Sequence, residues 1–292
     1  MKIFVTGVSG QLGHDVVKEL NSKGIETIGS DVVGDVDVKM DITDKTEVNN
    51  VLTANSPDAV IHCAAWTAVD AAEEEENKDK VRKINAEGTR NIAEYCGKND
   101  IKMIYISTDY VFNGQGEEPW QPDDKNYAPL NFYGLTKLEG EKAVAELVEK
   151  FFIVRIAWVF GKNGKNFIDT MLRLSKTHSE LRVVNDQIGT PTYTPDLAVL
   201  LADMVQTDKY GYYHATNEGG FISWYDFACE IFRQSGAGVK VIPVTTAEYG
   251  LSKAQRPFNS RLDKSKLTQN GFARLPDWKD ALARYLKETG EQ

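Results

Sequence analysis

Mostly apolar strand-like runs alternate with amphipathic helical stretches through the first half of the chain, and this alternation constrains the fold most. KIFVT (2–6), ETIGSD (26–31), DVKMD (37–41), AVIHCAA (59–65), KMIYIST (102–108) and FFIVRIA (151–157) read as strands. Between them, residues 11–23, 43–55, 70–97 and 131–150 read as helices, with Gly24 closing the first and Thr43 capping the second. Strands this apolar need cover on both faces. Regular strand–helix alternation gives parallel neighbours joined by crossovers. An α/β fold follows: a doubly wound parallel sheet with helices on both sides.

After Trp158 the rhythm loosens. Residues 167–178, 195–206, 224–235 and 278–287 read as helices, and 181–184, 211–215 and 239–242 as short strands. The expected division is a larger domain of residues 1–157 plus part of 195–220, and a smaller α/β domain of 158–194 and 221–292, interleaved with it.

The glycines of VTGVSGQLG (5–13) fall where the first strand turns into the first helix. Gly7, Gly10 and Gly13 there suit a tight turn, close backbone approach to a pyrophosphate, and close helix packing; Gln11 and Leu12 open the helix beside them. The spacing is G-x-x-G-x-x-G, so the strand–loop–helix context carries the reading more than the glycines do. A Rossmann-type dinucleotide site is expected. Asp31 ends the second strand 18 residues after Gly13, where an acid can hold ribose hydroxyls and repel a 2′-phosphate. No arginine lies between Gly7 and Asp41, so NADH is favoured over NADPH. Asp41 and Ile42 are placed near the adenine.

Ser107, Thr108, Asp109 and Tyr110 follow the strand 102–108, and the next helix carries Tyr133 and Lys137 in YGLTK. Open parallel sheets bind ligands beyond the carboxyl ends of their strands. Residues i and i+4 share a helix face. An ammonium beside a phenol would lower a pKa that starts near ~10. Hydride transfer to a carbonyl carbon needs such a proton donor, and Thr108 could polarise the oxygen. A tyrosine and lysine four apart arise by chance about once in such a chain, so the pair gains weight only beside the glycine loop.

These residues resemble the extended short-chain dehydrogenase/reductase family. The matching elements are the three glycines, Asp41–Ile42, HCAAWTAVD (62–70), Asn85 in KINAEGTRN, STDYVF (107–112) and YGLTK (133–137). In the second half, RIAWVFG (155–161), NDQIGTPTYT (185–194) and RPFNSRLD (256–263) are similar to the dTDP-4-dehydrorhamnose reductase family within it. The resemblance implies reduction of the 4-keto group of a nucleotide-linked deoxysugar. It makes Thr108, Tyr133 and Lys137 catalytic, and Ala64, Ala65 and Thr67 cofactor-lining. Val69, Asp109, Tyr110, Trp158, Asn166, Gln187, Arg256 and Asn259 become substrate contacts, with Thr190 and Pro191 in the same loop as Gln187. Asn85 is expected to be a buried brace. His62, Cys63, Trp66 and Ala157 depart from the usual asparagine, alanine, tyrosine and serine.

Composition is ordinary for a soluble globular protein. Of the 292 residues, 41% are hydrophobic and 26% charged, and 34 basic against 43 acidic side chains give a net charge of −9. Such a surface repels nucleic acid and anionic lipid. No run of 18 apolar residues exists and the start lacks a leader's apolar core, so a cytoplasmic protein off the membrane is expected. Cys63, Cys96 and Cys229 form no paired motif, and His14, His62, His178 and His214 lie at no metal-ligand spacing. Glu73–Glu76 reads as a solvated helix face. A homodimer is compatible with all this. Two rivals stay open: an epimerase or dehydratase with bound NAD, and a non-catalytic regulatory subunit. Asp109 is followed by Tyr110 and not by the second acid a dehydratase wants. A regulator has no need of an intact Thr108, Tyr133 and Lys137.

Overall fold

A computed structural model describes residues 1–250 and 252–291. Strands β1 (Lys2–Thr6), β2 (Glu26–Asp31), β3 (Val38–Lys39), β4 (Ala59–His62), β5 (Lys102–Thr108) and β6 (Phe151–Ile156) lie in one parallel sheet. Gly211–His214 adds a seventh strand beside β6. The order is Gly211–His214, β6, β5, β4, β1, β2, β3. The winding reverses between β1 and β4, and ligand crevices of such sheets open at that point.

Side-chain alternation builds a core on each face. Ile3, Val5, Ile61, Ile104 and Val154 point to one side, against Leu12, Val16 and the helix Thr194–Met204. Phe4, Val60, Met103, Tyr105 and Ile153 point to the other, against Val48, Leu52, Ile92 and Val144. A third apolar cluster lies outside the sheet. It is made by Phe160, Ile168, Phe227, Trp278 and Tyr285, and a two-stranded parallel pair, Glu180–Val184 with Lys240–Val244, flanks it.

Some boundaries differ from the sequence reading. The second helix is Lys45–Asn55, capped by Asp44 and not Thr43; Asp44 accepts from the amides of Thr46 and Glu47. β4 stops at His62, three residues short of Ala65. There the chain turns across the glycine loop, and the Ala64 amide donates to Thr6 Oγ1 at 3.2 Å. Residues 70–97 are not one helix. A short 3-10 turn, Ala71–Glu73, precedes the helix Glu75–Arg82, a π-helical turn Lys83–Gly88 and the helix Thr89–Lys98. The acidic run is not one solvated face either. Glu73 accepts from the Phe132 amide at 2.7 Å and Glu74 pairs with Lys253, leaving Glu75 and Glu76 exposed.

Among the described residues, no helix is long and apolar enough to cross a membrane. Nor do any three His, Cys, Asp or Glu side chains there group as a metal site. Cys96 is buried, Cys63 and Cys229 are half-buried, and all three thiols are free.

Candidate active site

The glycine loop leaves β1 with Gly7 in the left-handed region, φ +74°. A Cβ at Gly7 would lie 2.6 Å from the Ala64 amide nitrogen, and one at Gly13 would lie 2.2 Å from the Gly7 carbonyl oxygen. No side chain caps the helix Gln11–Ser22 at Gly10. Its first amides therefore stay open to an anion beside a cradle that only glycine leaves clear. This fits the pyrophosphate of a nicotinamide dinucleotide. Leu12 is buried in the core beneath. Gln11 turns away from the sheet, donating to the Lys165 carbonyl at 3.4 Å and packing on Gly164.

Asp31 stands at the end of β2, beside this loop. Its carboxylate accepts from Ser9 N at 3.1 Å and Val32 N at 2.7 Å. Asp41 is engaged in the next turn, accepting from the amide and hydroxyl of Thr43 at 2.9 and 2.8 Å. Ile42 is buried in the core, and its carbonyl accepts from Asn91.

The segment after β4 is fixed by a buried chain of hydrogen bonds. Ala64 N donates to Thr6 Oγ1; Thr6 Oγ1 meets His62 Nδ1 at 2.7 Å; His62 Nε2 meets Thr89 Oγ1 at 3.0 Å; Thr89 donates to the Asn85 carbonyl. Thr89 has spent its one proton, so Nε2 donates to it. Burial holds the His62 pKa down at about 3, so the ring is neutral and Nδ1 accepts from Thr6. Asn85 is fully buried. Its amide exchanges bonds with the backbone of Trp66 at 2.8 and 3.2 Å and reaches Thr136 on the next helix. Ala65 and Val69 are half-buried, and Thr67 is exposed.

The helix Phe132–Leu147 starts where three signals meet. Asn131 caps it through the Gly134 amide at 2.8 Å, Glu73 holds the Phe132 amide, and Gly134 packs where a Cβ would lie 2.3 Å from the Tyr110 carbonyl. That close approach sets Tyr133 against the end of β5. Its ring meets Tyr110 edge-on at 5.7 Å.

Two of the expected catalytic side chains are engaged by other partners in this structure. Lys137 is held by the backbone of β5. Its Nζ donates to the Ile106 carbonyl at 2.8 Å and sits 4.2 Å from the Tyr105 ring centre. Burial lowers its pKa to about 7, against the raising effects of Glu141 and Cys63. Burial likewise raises the Tyr133 phenol, and the group that opposes this is the Thr108 hydroxyl. Nor is the Thr108 proton free for a substrate carbonyl. Thr108 donates to Asp109 Oδ1 at 3.0 Å and accepts from Tyr110 N at 3.2 Å.

Further residues converge from later in the chain. Arg256 donates to Asp70 at 2.6 Å and to the Tyr110 hydroxyl at 3.3 Å. Trp158 has a left-handed backbone, φ +50°, and its ring stacks on Trp224 at 3.8 Å. The turn is held by Thr192, which donates to the carbonyls of Ala157 and Trp158. A Cβ on Gly189 would lie 2.9 Å from the Trp158 ring and 3.0 Å from Ser260. Ser260 in turn lies close enough to Asp109 to favour its carboxylate.

Three expected substrate contacts are committed elsewhere. Asn166 caps the helix Phe167–Ser175 and donates to the Gly161 carbonyl and the Tyr285 hydroxyl. Asn259 donates to the Glu118 carbonyl at 2.9 Å and accepts from Arg261. Gln187 is buried and donates to Thr246 at 3.0 Å. Thr190 donates to the Gly220 carbonyl, and the Pro191 carbonyl accepts from Asn217. Sequence reading missed Asp70, Glu73, Asn131, Trp224 and Ser260. Of these, only Asn131, at cap spacing before Gly134, carried a local signal. A separate cavity of about 530 Å³, lined by Cys96, Leu147 and Phe151 among others, lies at the other end of β5 and β6.

The sequence model of the family described as RmlD substrate binding domain matches residues 1–290. A crystal structure of a dTDP-4-dehydrorhamnose reductase from Clostridium acetobutylicum is 44% identical, covers 99% of this chain and 100% of its own, and superposes with a TM-score of 0.92. The chain belongs to the dTDP-4-dehydrorhamnose reductase family. It is an oxidoreductase by that membership. A second family structure, from Bacillus anthracis in complex with NADP, is 41% identical over 98% of this chain and 99% of its own, with a TM-score of 0.91. The spore coat polysaccharide biosynthesis protein SpsK of Bacillus subtilis is 39% identical over 98% of this chain and 97% of the relative.

Proposed function

We propose that the protein reduces the 4-keto group of dTDP-4-dehydro-L-rhamnose to dTDP-L-rhamnose with NAD(P)H. The observation that carries this reading is the Tyr133 phenol, set beside Tyr110 at the carboxyl end of β5 by the Asn131 cap and the close approach of Gly134. The Gly7–Gly13 cradle lies two strands away at the switch point. The family relatives named above support the substrate class.

The bound dinucleotide supplies hydride to C4 of the ketosugar. The chain's part is to hold the partners and manage the proton. The open amides after Gly10 and the Gly7 turn hold the pyrophosphate. Asp31 keeps a negative charge where a 2′-phosphate would sit, which favours NADH. Tyr133 gives its proton to the C4 oxygen as charge develops there. A phenol raised by burial keeps that proton at neutral pH, as a donor must. Lys137, anchored on the Ile106 carbonyl, keeps the helix register. Arg256 suits the substrate's phosphates, since its fork faces the crevice from Asp70 and Tyr110. Trp158 and Trp224 offer an aromatic wall to the sugar or base. Residues 158–194 and 221–292 act as the substrate domain, and the enzyme works in the cytoplasm as a homodimer.

The test is absorbance at the reduced-nicotinamide band. Purified protein mixed with dTDP-4-dehydro-L-rhamnose is followed with NADH and NADPH separately. Stoichiometric oxidation, faster with NADH, is the expected result. No oxidation with either cofactor refutes the reading and turns attention to bound NAD or a protein partner.

A further inference from the structure

Asn131 stands between the helix that carries Tyr133 and the segment that carries Arg256. Its Oδ1 accepts from the Gly134 amide at 2.8 Å, and its Nδ2 donates to the Gln255 carbonyl at 2.8 Å. Both partners are backbone groups, one an N–H and the other a C=O, so they fix which end of the amide is which. The side chain is 7% exposed. A helix cap needs only an oxygen. Serine and aspartate supply one as well as asparagine does, yet neither carries an amide nitrogen to reach a carbonyl outside the helix.

The same two partners are joined a second time, by the turn after β4. Glu73 accepts from the Phe132 amide at 2.7 Å, at the helix start. In the same turn Asp70 accepts from Ala254 N at 3.1 Å and from Arg256 Nη2 at 2.6 Å, and Glu74 pairs with Lys253. The contacts then close into a ring. Arg256 Nη1 donates to the Tyr110 hydroxyl at 3.3 Å, the Tyr110 ring meets Tyr133 edge-on at 5.7 Å, and a Cβ on Gly134 would lie 2.3 Å from the Tyr110 carbonyl oxygen. Beyond Arg256, Pro257 packs so closely on Gly114 that a Cβ there would lie 2.4 Å from its side chain, and Asn259 N donates to the Gly114 carbonyl at 2.8 Å. Residues 253–259 are thus seated on the chain that follows β4 and β5 and on the start of the helix Phe132–Leu147.

We propose that Asn131 is a positioning residue: it holds the Arg256 segment and the Tyr133 helix in one register, so that a nucleotide diphosphate gripped by Arg256 brings its sugar carbonyl to Tyr133. The proposal rests on the reductase reading. A remote phosphate contact speeds a reaction only where the two ends of the site are held at a fixed separation. In this ring it is the Asn131 side chain that bonds to both directly.

The experiment is Asn131→Ser, which keeps the cap and loses the reach. Its kcat/KM for the dTDP-linked 4-ketosugar should fall about tenfold or more, with the melting temperature and the Kd for NADH near those of the parent. Its affinity for dTDP alone, read by calorimetric titration, should weaken as well, because the Arg256 segment is no longer held. Asn131→Asp, which caps with a carboxylate and turns a second oxygen on the Gln255 carbonyl, should lose at least as much. The double variant Asn131→Ser, Arg256→Gln should be no worse than Arg256→Gln alone, since both act through one contact. A parent-like kcat/KM in Asn131→Ser overturns the proposal, and so does full additivity with Arg256→Gln. A loss confined to melting temperature and NADH affinity in both Asn131 variants shows a cap and nothing more, and overturns it too. Absence of turnover by the parent with either cofactor overturns the reductase reading, and dTDP affinity then decides the coupling: weakened in Asn131→Ser it upholds the tether, and unchanged it overturns it.

Discussion

Arg256 Nη2 lies 2.6 Å from Asp70 Oδ2, joining the segment after β4 to the last loop of the crevice across 186 positions of sequence. Both side chains are partly open to water, 25% and 46%. Such a pair contributes only about 0–1 kcal/mol to folding. Arg256→Gln should therefore barely move the melting temperature. If the fork holds phosphate, the variant should raise KM for the nucleotide sugar about tenfold or more, with a smaller change in kcat. Steady-state kinetics beside a thermal melt separates this from a structural loss.

Gly7 allows two things at once: a left-handed turn and contact with Ala64. Gly7→Ala brings a backbone cost of about 1–2 kcal/mol and a Cβ within 2.6 Å of the Ala64 amide nitrogen. The expected outcome is a lower melting temperature and loss of NADH binding, read by fluorescence titration. Wild-type binding by the variant would contradict the cradle.

Arg155 and Glu141 form a fully buried, doubly bonded pair at 2.8 and 2.8 Å. Arg155 also holds the Pro122 carbonyl and the Tyr127 hydroxyl, fixing the loop after β5. Glu141→Gln leaves a buried guanidinium without its counter-charge, which costs roughly 3–5 kcal/mol. Urea unfolding should show that loss.

His62 is neutral in the fold, with a pKa lowered from 6.5 to about 3. Below pH 6.5 the unfolded chain takes up a proton at this residue that the native chain does not. The contribution of His62 to stability is therefore present above pH 6.5 and lost progressively as pH falls towards 3. His62→Asn should flatten the fall in stability between pH 6.5 and 4, measured by urea midpoints at several pH values. An unchanged slope would contradict the neutral, doubly bonded ring.

Much of the sheet is legible in the sequence because its strands carry an intrinsic signal. Residues 102–108 are buried throughout, as an apolar run in a sheet covered on both faces must be. The glycine loop is legible because Gly7 and Gly13 have no substitute where a Cβ would strike backbone. Residues 70–97 misled because helical periodicity does not show a break. The chain opens into a π-helical turn around Asn85, whose amide must reach Trp66 and Thr136. The Tyr133–Lys137 spacing left the lysine's own partner open. Helix spacing fixes a shared face, but the end of a lysine goes to whichever acceptor is nearest, and here that is Ile106. Ser260, Asp70 and the His62 chain join residues far apart in sequence, and no local pattern marks them.

The central claim is that Tyr133 delivers the proton of a ketosugar reduction. Tyr133→Phe removes one oxygen and keeps the ring that packs on Tyr110. The most direct measurement is NADH oxidation by this variant and its parent with dTDP-4-dehydro-L-rhamnose. Stoichiometric oxidation by the parent, falling about 10²-fold or more in the variant with NADH binding retained, is the predicted result. Equal rates in the two proteins would contradict the account.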